Sequence, residues 1–281
     1  MKYLKFLKFF NKFIFPVLIS ILVFLILKIS GLMIYFACLF VYFCWKRRKK
    51  FFAYFGTISN IRGNQVNSAK WFYRAYMTDK TDNLIATDAA YTCLRLGDLK
   101  KAEQILKNVD LATLDGEAKV KAANNISILY WKTGDLPNAI LTLESLYHAN
   151  VKSTSLFGNL TYYYILNGDS DKALALAKEA YEYNSSDIVI IENLARISHI
   201  TGDWDEATTH YAKLEQLSPT YPEAWVHLAS FLEDSKQFEA AKEALNKALK
   251  CNFSFLSNVT KDQIESKLKS ISTVPALEAE H

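Results

Sequence analysis

The chain has 281 residues, of which 33 are Lys or Arg and 29 are Asp or Glu, so its formal net charge is +4. Residues 1–50 hold ten of the basic residues and no acidic one, which leaves 23 basic and 29 acidic residues in the remainder. Nucleic-acid binding requires positive charge concentrated on one face, so the mildly acidic body argues against a nucleic-acid partner.

The first 50 residues contain two long apolar runs. Phe13–Leu27 and Leu32–Trp45 carry no charge, and Lys28-Ile29-Ser30-Gly31 separates them. A single helix over both runs would be ~50 Å long, well beyond the ~30 Å hydrocarbon core of a bilayer. We therefore predict a transmembrane helical hairpin of two spans, with its turn at residues 28–31.

Basic residues flank this hairpin on both sides. Four lysines precede the first run, and five basic residues follow the second run: Lys46, Arg47, Arg48, Lys49 and Lys50. Positively charged segments stay on the cytoplasmic side of a membrane. The pattern predicts a multi-pass membrane protein whose N-terminus and body both lie in the cytoplasm, with Lys46–Lys50 as the basic cluster of the membrane anchor.

A short turn motif recurs through the body at a nearly constant interval. Gly97-Asp98, Gly134-Asp135, Gly168-Asp169 and Gly202-Asp203 are separated by 37, 34 and 34 residues, and an alanine follows each glycine five positions later. Glycine can take the left-handed conformation that ends a helix, and Asp can cap the helix that follows. The interval therefore predicts a solenoid of repeated helix pairs.

The residues within these units resemble the tetratricopeptide repeat family. Trp225, Leu228 and Ala229 stand where the family has its tryptophan, leucine and small residue, and Ala241 and Leu245 match its second helix. The resemblance implies an all-α fold, a right-handed superhelical solenoid of antiparallel helix pairs. The units are expected at residues 83–116, 120–153, 154–187, 188–221 and 222–255, after a degenerate first unit at 51–82.

The C-terminal residues are predicted to close the solenoid. Thr260-Lys261-Asp262-Gln263 has the spacing of a capping box, and Ile264, Leu268 and Ile271 follow at helical intervals. We therefore divide the chain into a membrane anchor at 1–50, a solenoid at 51–255, and a capping helix with a disordered tail at 256–281.

The resemblance also indicates where a partner would bind. First helices of the family line a concave groove for peptides or partner helices, and an asparagine at one position can bond the backbone of an extended peptide. Asn125, Asn159 and Asn193 occupy that position here. The other candidate groove residues are Tyr91, Lys121, Ile128, Trp131, Tyr162, Arg196 and His199, with Lys132 nearby. The mixture would suit an extended, partly acidic segment, although such asparagines are also common simply as polar surface residues.

The sequence contains no Gly-rich phosphate loop, nucleophile elbow or metal-ligand cluster. We therefore expect no catalytic residue, metal, cofactor or small-molecule substrate. The sequence predicts a membrane-tethered scaffold that binds a protein or peptide partner in its groove on the cytoplasmic side. Two alternatives stay open, namely an obligate subunit or assembly factor of an envelope or membrane protein complex, and a peptide-sensing regulatory receptor.

Overall fold

The computed structural model describes residues 14–272, and for residues 27–31 it describes the backbone alone. The predicted disordered tail and the four N-terminal lysines lie outside the described residues. A 3₁₀ turn at Leu111–Thr113 accompanies fourteen helices in this part of the chain: α1 Phe15–Lys46, α2 Arg48–Ile61, α3 Gln65–Thr78, α4 Asn83–Leu96, α5 Leu99–Leu106, α6 Gly116–Lys132, α7 Leu136–His148, α8 Thr154–Asn167, α9 Ser170–Tyr183, α10 Ile188–Ile200, α11 Trp204–Leu217, α12 Pro222–Asp234, α13 Phe238–Leu249 and α14 Lys261–Ser272.

The N-terminal segment forms one continuous helix, so the predicted hairpin is wrong. α1 runs from Phe15 to Lys46 without interruption at residues 28–31. A single glycine inside a helix, such as Gly31, costs only about 1 kcal/mol. The long helical runs on both sides offset that cost, and the helix instead ends at Lys46, one residue before α2.

None of the helices in the described part of the chain combines the length and the apolarity that crossing a membrane requires. The charge-free stretches at 14–26 and 32–45 would each be only about 20 Å long as helices, against the ~30 Å core of a bilayer. The two-span topology, and the location that we derived from it, are therefore wrong. Many large side chains of α1 are nevertheless exposed, among them Leu25, Met33 and Phe40.

The basic cluster predicted as a membrane anchor lies across the junction of α1 and α2. Lys49 forms ion pairs with Asp79 and Asp82, both at 2.7 Å, and so ties the start of α2 to the loop between α3 and α4. Three other members of the cluster place their charges over aromatic rings about one turn earlier, at 4.3 to 5.6 Å: Lys46 over Tyr42, Arg47 over Phe43 and Arg48 over Trp45.

The repeated Gly-Asp turns end one helix and begin the next. Gly97 and Gly168 end α4 and α8 in the left-handed conformation, with φ of 79° and 80°. Asp98 then caps α5 by accepting a hydrogen bond from a backbone N–H at 3.2 Å, whereas Asp169 makes no such bond. In the last helix pair, where the motif lacks glycine, Lys236 takes the left-handed position with φ of 59°.

The helix pairs form one continuous stack. Three groups of buried apolar side chains follow one another, the first from α3 to α6, the second from α6 to α10 and the third from α10 to α14. The small residues Ala90, Ala195 and Ala229 are fully buried where helices approach each other closely. Each pair buries its apolar face on its neighbours, so stacking stabilises every pair.

α14 covers the C-terminal end of the stack. Both bonds of the capping box form, since Gln263 N donates to Thr260 Oγ1 at 3.2 Å and Thr260 N donates to Gln263 Oε1 at 2.8 Å. Ile264 and Ile271 are buried against the last helix pair. α14 thus shields apolar surface that a further repeat would otherwise cover.

Candidate partner-binding groove

The first helices of successive pairs line a concave groove with a volume of about 920 Å³. α4, α6, α8, α10 and α12 contribute to its wall. Eight of the ten candidate residues lie in that wall: Tyr91, Lys121, Asn125, Ile128, Trp131, Asn159, Tyr162 and Asn193. The structure therefore brings most of the candidate set together, whereas Arg196 and His199 lie outside the wall.

The amide nitrogens of the three asparagines connect successive first helices. Asn125 Nδ2 donates to the Thr87 carbonyl at 2.7 Å, and Asn193 Nδ2 donates to the Gly158 carbonyl at 2.8 Å. Asn159 Nδ2 donates to an asparagine side chain of α6 at 2.7 Å. These nitrogens hold neighbouring pairs in register, so the asparagines have a structural role whether or not they bind a ligand.

Asn193 also carries an unused acceptor. Asn193 is 1 % exposed and lines the groove, and its Oδ1 has no hydrogen-bond partner among the described residues. Buried polar atoms are nearly always paired, so such an atom requires an explanation. Five further buried polar atoms of the described residues also have no hydrogen-bond partner, but their residues lie outside the groove wall: Thr161 Oγ1, Arg196 Nη1, Ser198 Oγ, His210 Nδ1 and Tyr211 OH.

An aromatic surface lies in the middle of the groove. The ring of Trp131 contacts those of Tyr162 and Tyr163, with centroids 5.5 and 5.8 Å apart. The Arg196 guanidinium lies 5.6 Å from the centre of the Tyr162 ring. Burial raises the pKa of Tyr162 despite this nearby positive charge. Tyr162 is therefore neutral at physiological pH and offers the groove both a ring and a hydroxyl.

Charged residues around the groove pair with one another. Lys121 binds Glu117 at 2.8 Å and lies 3.8 Å from Asp88. The hydrogen bond that Lys121 donates to Glu117 raises the pKa of Lys121, and burial raises the pKa of Asp88. Four acidic and two basic residues lie in the wall: Asp88, Asp187, Glu192, Glu223, Arg95 and Lys121. The groove therefore offers an acidic segment no excess of positive charge.

Glu192 is a groove residue that the sequence reasoning missed. It is 4 % exposed, and its carboxylate accepts a hydrogen bond from Tyr221 OH at 3.1 Å. Its Oε1 also lies 2.6 Å from His227 Nδ1. Burial and the adjacent carboxylate both raise the pKa of Tyr221. The available signal was a lone acidic residue directly after the apolar run Ile188-Val189-Ile190-Ile191.

His199 packs between helix pairs away from the groove wall. Its Nε2 lies 3.0 Å from Asp234 Oδ2, and its ring meets those of Trp204 and Phe231 edge-on at 5.3 and 5.4 Å. These contacts join α10 to α11 and α12. We therefore assign His199 to the packing of the stack.

A segment between α13 and α14 supplies another side of the groove, and we call residues 252–258 the clasp. Five of its residues lie in the groove wall: Asn252, Ser254, Leu256, Ser257 and Asn258. The sequence reasoning assigned the first part of this segment to the end of the last repeat unit. α13 ends earlier, at Leu249, which leaves the Ser- and Asn-rich stretch free to cross the groove.

Comparisons with known proteins agree with this architecture. A tetratricopeptide repeat family model matches residues 199–254. A tetratricopeptide repeat protein of Parabacteroides merdae superimposes with a TM-score of 0.64 at 15% identity, over 92% of this chain and 97% of its own. The chain has the tetratricopeptide repeat fold. This repeat (TPR) solenoid explains why first helices face the groove and second helices face outward.

Two further solved structures are similar to this chain. A thermophilic TPR protein of Thermus thermophilus has a TM-score of 0.56 and 24% identity, over 66% of this chain and 98% of its own. PilW, described as a widely conserved type IV pilus biogenesis factor, has a TM-score of 0.57 and 12% identity, over 72% and 92%. None of the curated proteins matches the chain. The structural likeness concerns the fold, and the family model supports the TPR family at residues 199–254.

Proposed function

We propose that this TPR protein is a scaffold that binds a segment of a protein or peptide partner in its groove. The observation that carries the proposal is the buried Asn193 Oδ1, which lines the groove and lacks a partner among the described residues. A peptide N–H is a donor of the kind this acceptor requires. The proposal assigns the chain no catalytic step, cofactor or metal.

The groove wall also defines the character of the segment. Trp131, Tyr162 and Tyr91 offer aromatic surface for apolar side chains. The charged groups of the wall already have partners, since Lys121 binds Glu117 and Glu192 contacts Tyr221 and His227. We therefore propose an extended segment of mainly uncharged residues, bound through its backbone and a few apolar side chains.

Filling the groove tests this proposal without removing any structural asparagine. Ser155 is exposed on α8 and lines the groove, so Ser155→Tyr adds bulk where the partner would lie. Ser145 is exposed on α7, which contributes nothing to the groove wall, so Ser145→Tyr is the matched control. Partners captured by the purified full-length protein from extracts of the source cells would be quantified by mass spectrometry.

We expect Ser155→Tyr to reduce capture of the main partner about ten-fold or more, the equivalent of losing about 1.4 kcal/mol of binding free energy. Ser145→Tyr should capture the same amount as the unaltered protein. Equal capture by the two variants, with unchanged circular dichroism, would refute binding in the groove.

A further inference from the structure

The clasp is bonded to opposite ends of the groove. On the C-terminal side, Asn258 N donates to Glu223 Oε1 of α12 at 2.6 Å. On the N-terminal side, Phe255 N donates to the Arg95 carbonyl near the end of α4 at 3.1 Å. α4 and α12 belong to helix pairs that are far apart in sequence, so the clasp joins two distant parts of the solenoid across its concave face.

Side chains add to the N-terminal attachment. The Phe255 ring packs directly on Gly97. A Cβ atom added to Gly97 would lie only 2.7 Å from the ring. Lys132, at the end of α6, lies 5.6 Å from the centre of that ring and 3.3 Å from Asn258 Oδ1. Leu256 packs against the apolar group that runs from α3 to α6. The clasp therefore docks on α4 and α6 as a bound ligand would.

This N-terminal attachment is small and local. Ser257 N donates to the Ser254 carbonyl at 3.0 Å, which places Phe255 and Leu256 at the two central positions of a tight turn. Phe255 remains 45 % exposed, and residues 251–260 carry no charge. A contact made of one backbone hydrogen bond, two long hydrogen bonds from the Lys132 ammonium and half-buried side chains belongs to the low-stability end of a fold, where segments open locally.

We propose that the clasp is a displaceable intramolecular occupant of the groove, which closes its mouth at Arg95 and Gly97 until a partner segment replaces it. The inference rests on the proposed function, because it concerns access to the same groove. The groove volume of about 920 Å³ suits a short ligand. A longer extended segment that follows the first helices past α4 needs the surface that Phe255 and Leu256 cover. Its docking residues should resemble those of the clasp, an apolar pair in an uncharged stretch.

Thiol accessibility tests the clasp without any partner. Ser155→Cys places a thiol in the groove wall, and Ser145→Cys places one on the outer face of α7. In the full-length protein Cys38, Cys44 and Cys251 are replaced by Ser, while Cys93 is kept because it is buried and burial raises the pKa of its thiol to about 11. The probes are N-ethylmaleimide, which is small, and a polyethylene-glycol maleimide, which is a bulky flexible chain.

The quantity measured is the rate with the polymer divided by the rate with N-ethylmaleimide. We expect Phe255→Ala to raise this ratio about ten-fold at the groove thiol, because removal of the ring weakens the closed state by an amount on the order of one side-chain contact. Lys132→Ala removes the ammonium group that contacts Phe255 and Asn258, and it should also raise the ratio. Leu141→Ala removes an exposed side chain of α7 and should leave it unchanged.

Two results would overturn the proposal. One is a ratio that is the same in the unaltered protein, Phe255→Ala and Lys132→Ala; the other is a groove thiol that the polymer reaches as readily as the thiol of Ser145→Cys. Neither result would contradict the proposal of groove binding, because that proposal is tested separately, by the loss of partner capture in Ser155→Tyr. Conversely, loss of groove binding would leave the measured ratios valid as evidence for the clasp. If both proposals hold, Phe255→Ala should also capture more partner.

Discussion

Asn193 shows how one side chain can serve the stack and the groove together. Its Nδ2 is committed to the Gly158 carbonyl of α8, and its Oδ1 is left without a partner among the described residues. A polar side chain kept buried in this state carries an energetic cost that folding alone does not explain. The residue therefore has to be tested separately for its effect on stability and for its effect on binding.

We predict that Asn193→Ala lowers the free energy of unfolding by about 1–2 kcal/mol, because a buried hydrogen bond between α10 and α8 is lost. Urea denaturation followed by circular dichroism would measure the change. Asn167→Ala is the control, since Asn167 is exposed and bonds to Asp169 at 2.8 Å, and it should stay within about 0.5 kcal/mol. Equal effects of the two substitutions would contradict the structural role of Asn193.

The repeat interval predicted which residues line the groove, but it did not predict their hydrogen bonds. Asn125, Asn159 and Asn193 share one helical position, so their common face follows from the sequence. Which carbonyl each amide reaches depends on how far one helix pair is shifted along its neighbour. That shift arises from packing across the whole stack. It also explains why Asn159 donates its hydrogen bond to a side chain of α6 instead of a backbone carbonyl.

At the scale of helices, short sequence motifs predicted correctly where a helix begins or ends. Gly97 and Gly168 take positive φ, and Thr260 and Gln263 form both capping bonds. The sequence reasoning failed at residues 28–31 because one glycine between long helical runs is not enough to break a helix. The clasp was also missed, since its contacts with α4 and α6 are non-local and leave no periodic pattern in the sequence.

The attachment of α2 to the loop between α3 and α4 depends on Lys49 and two carboxylates. The hydrogen bond from Lys49 and two bonds from Thr81 lower the pKa of Asp79 from 3.8 to about 2. A lowered carboxyl pKa means that the folded state holds the charged form more strongly than the unfolded state does. This contribution to stability is therefore present above about pH 4 and is lost as the pH falls toward 2.

We predict that the Asp79 carboxyl titrates near pH 2 in the intact protein and returns toward 3.8 in Lys49→Met, because the first of these bonds is removed. NMR of the side-chain carboxyl carbon would follow the titration. Lys50→Met is the control, as Lys50 is adjacent in sequence and exposed, and it should leave the midpoint unchanged. An unshifted midpoint in Lys49→Met would show that Lys49 does not hold Asp79.

At the scale of the whole molecule, the solenoid and the clasp together define one concave site. Stacked pairs from α3 to α13 place five first helices along the groove, and the clasp returns from α13 to touch α4. The all-α TPR-like solenoid was predictable from a period of 34 residues. The return of the C-terminal segment to the N-terminal pairs was not, because it depends on the curvature that all the pairs produce together.

Site-specific photo-crosslinking tests binding in the groove most directly. A photoreactive phenylalanine analogue would replace Tyr91, which is 40 % exposed in the groove wall, or Leu141, which is 59 % exposed on α7 outside it. Groove binding predicts that the partner is crosslinked from position 91 and not from position 141, and that Ser155→Tyr abolishes the crosslink. A partner crosslinked as strongly from position 141, or from position 91 despite Ser155→Tyr, would contradict it.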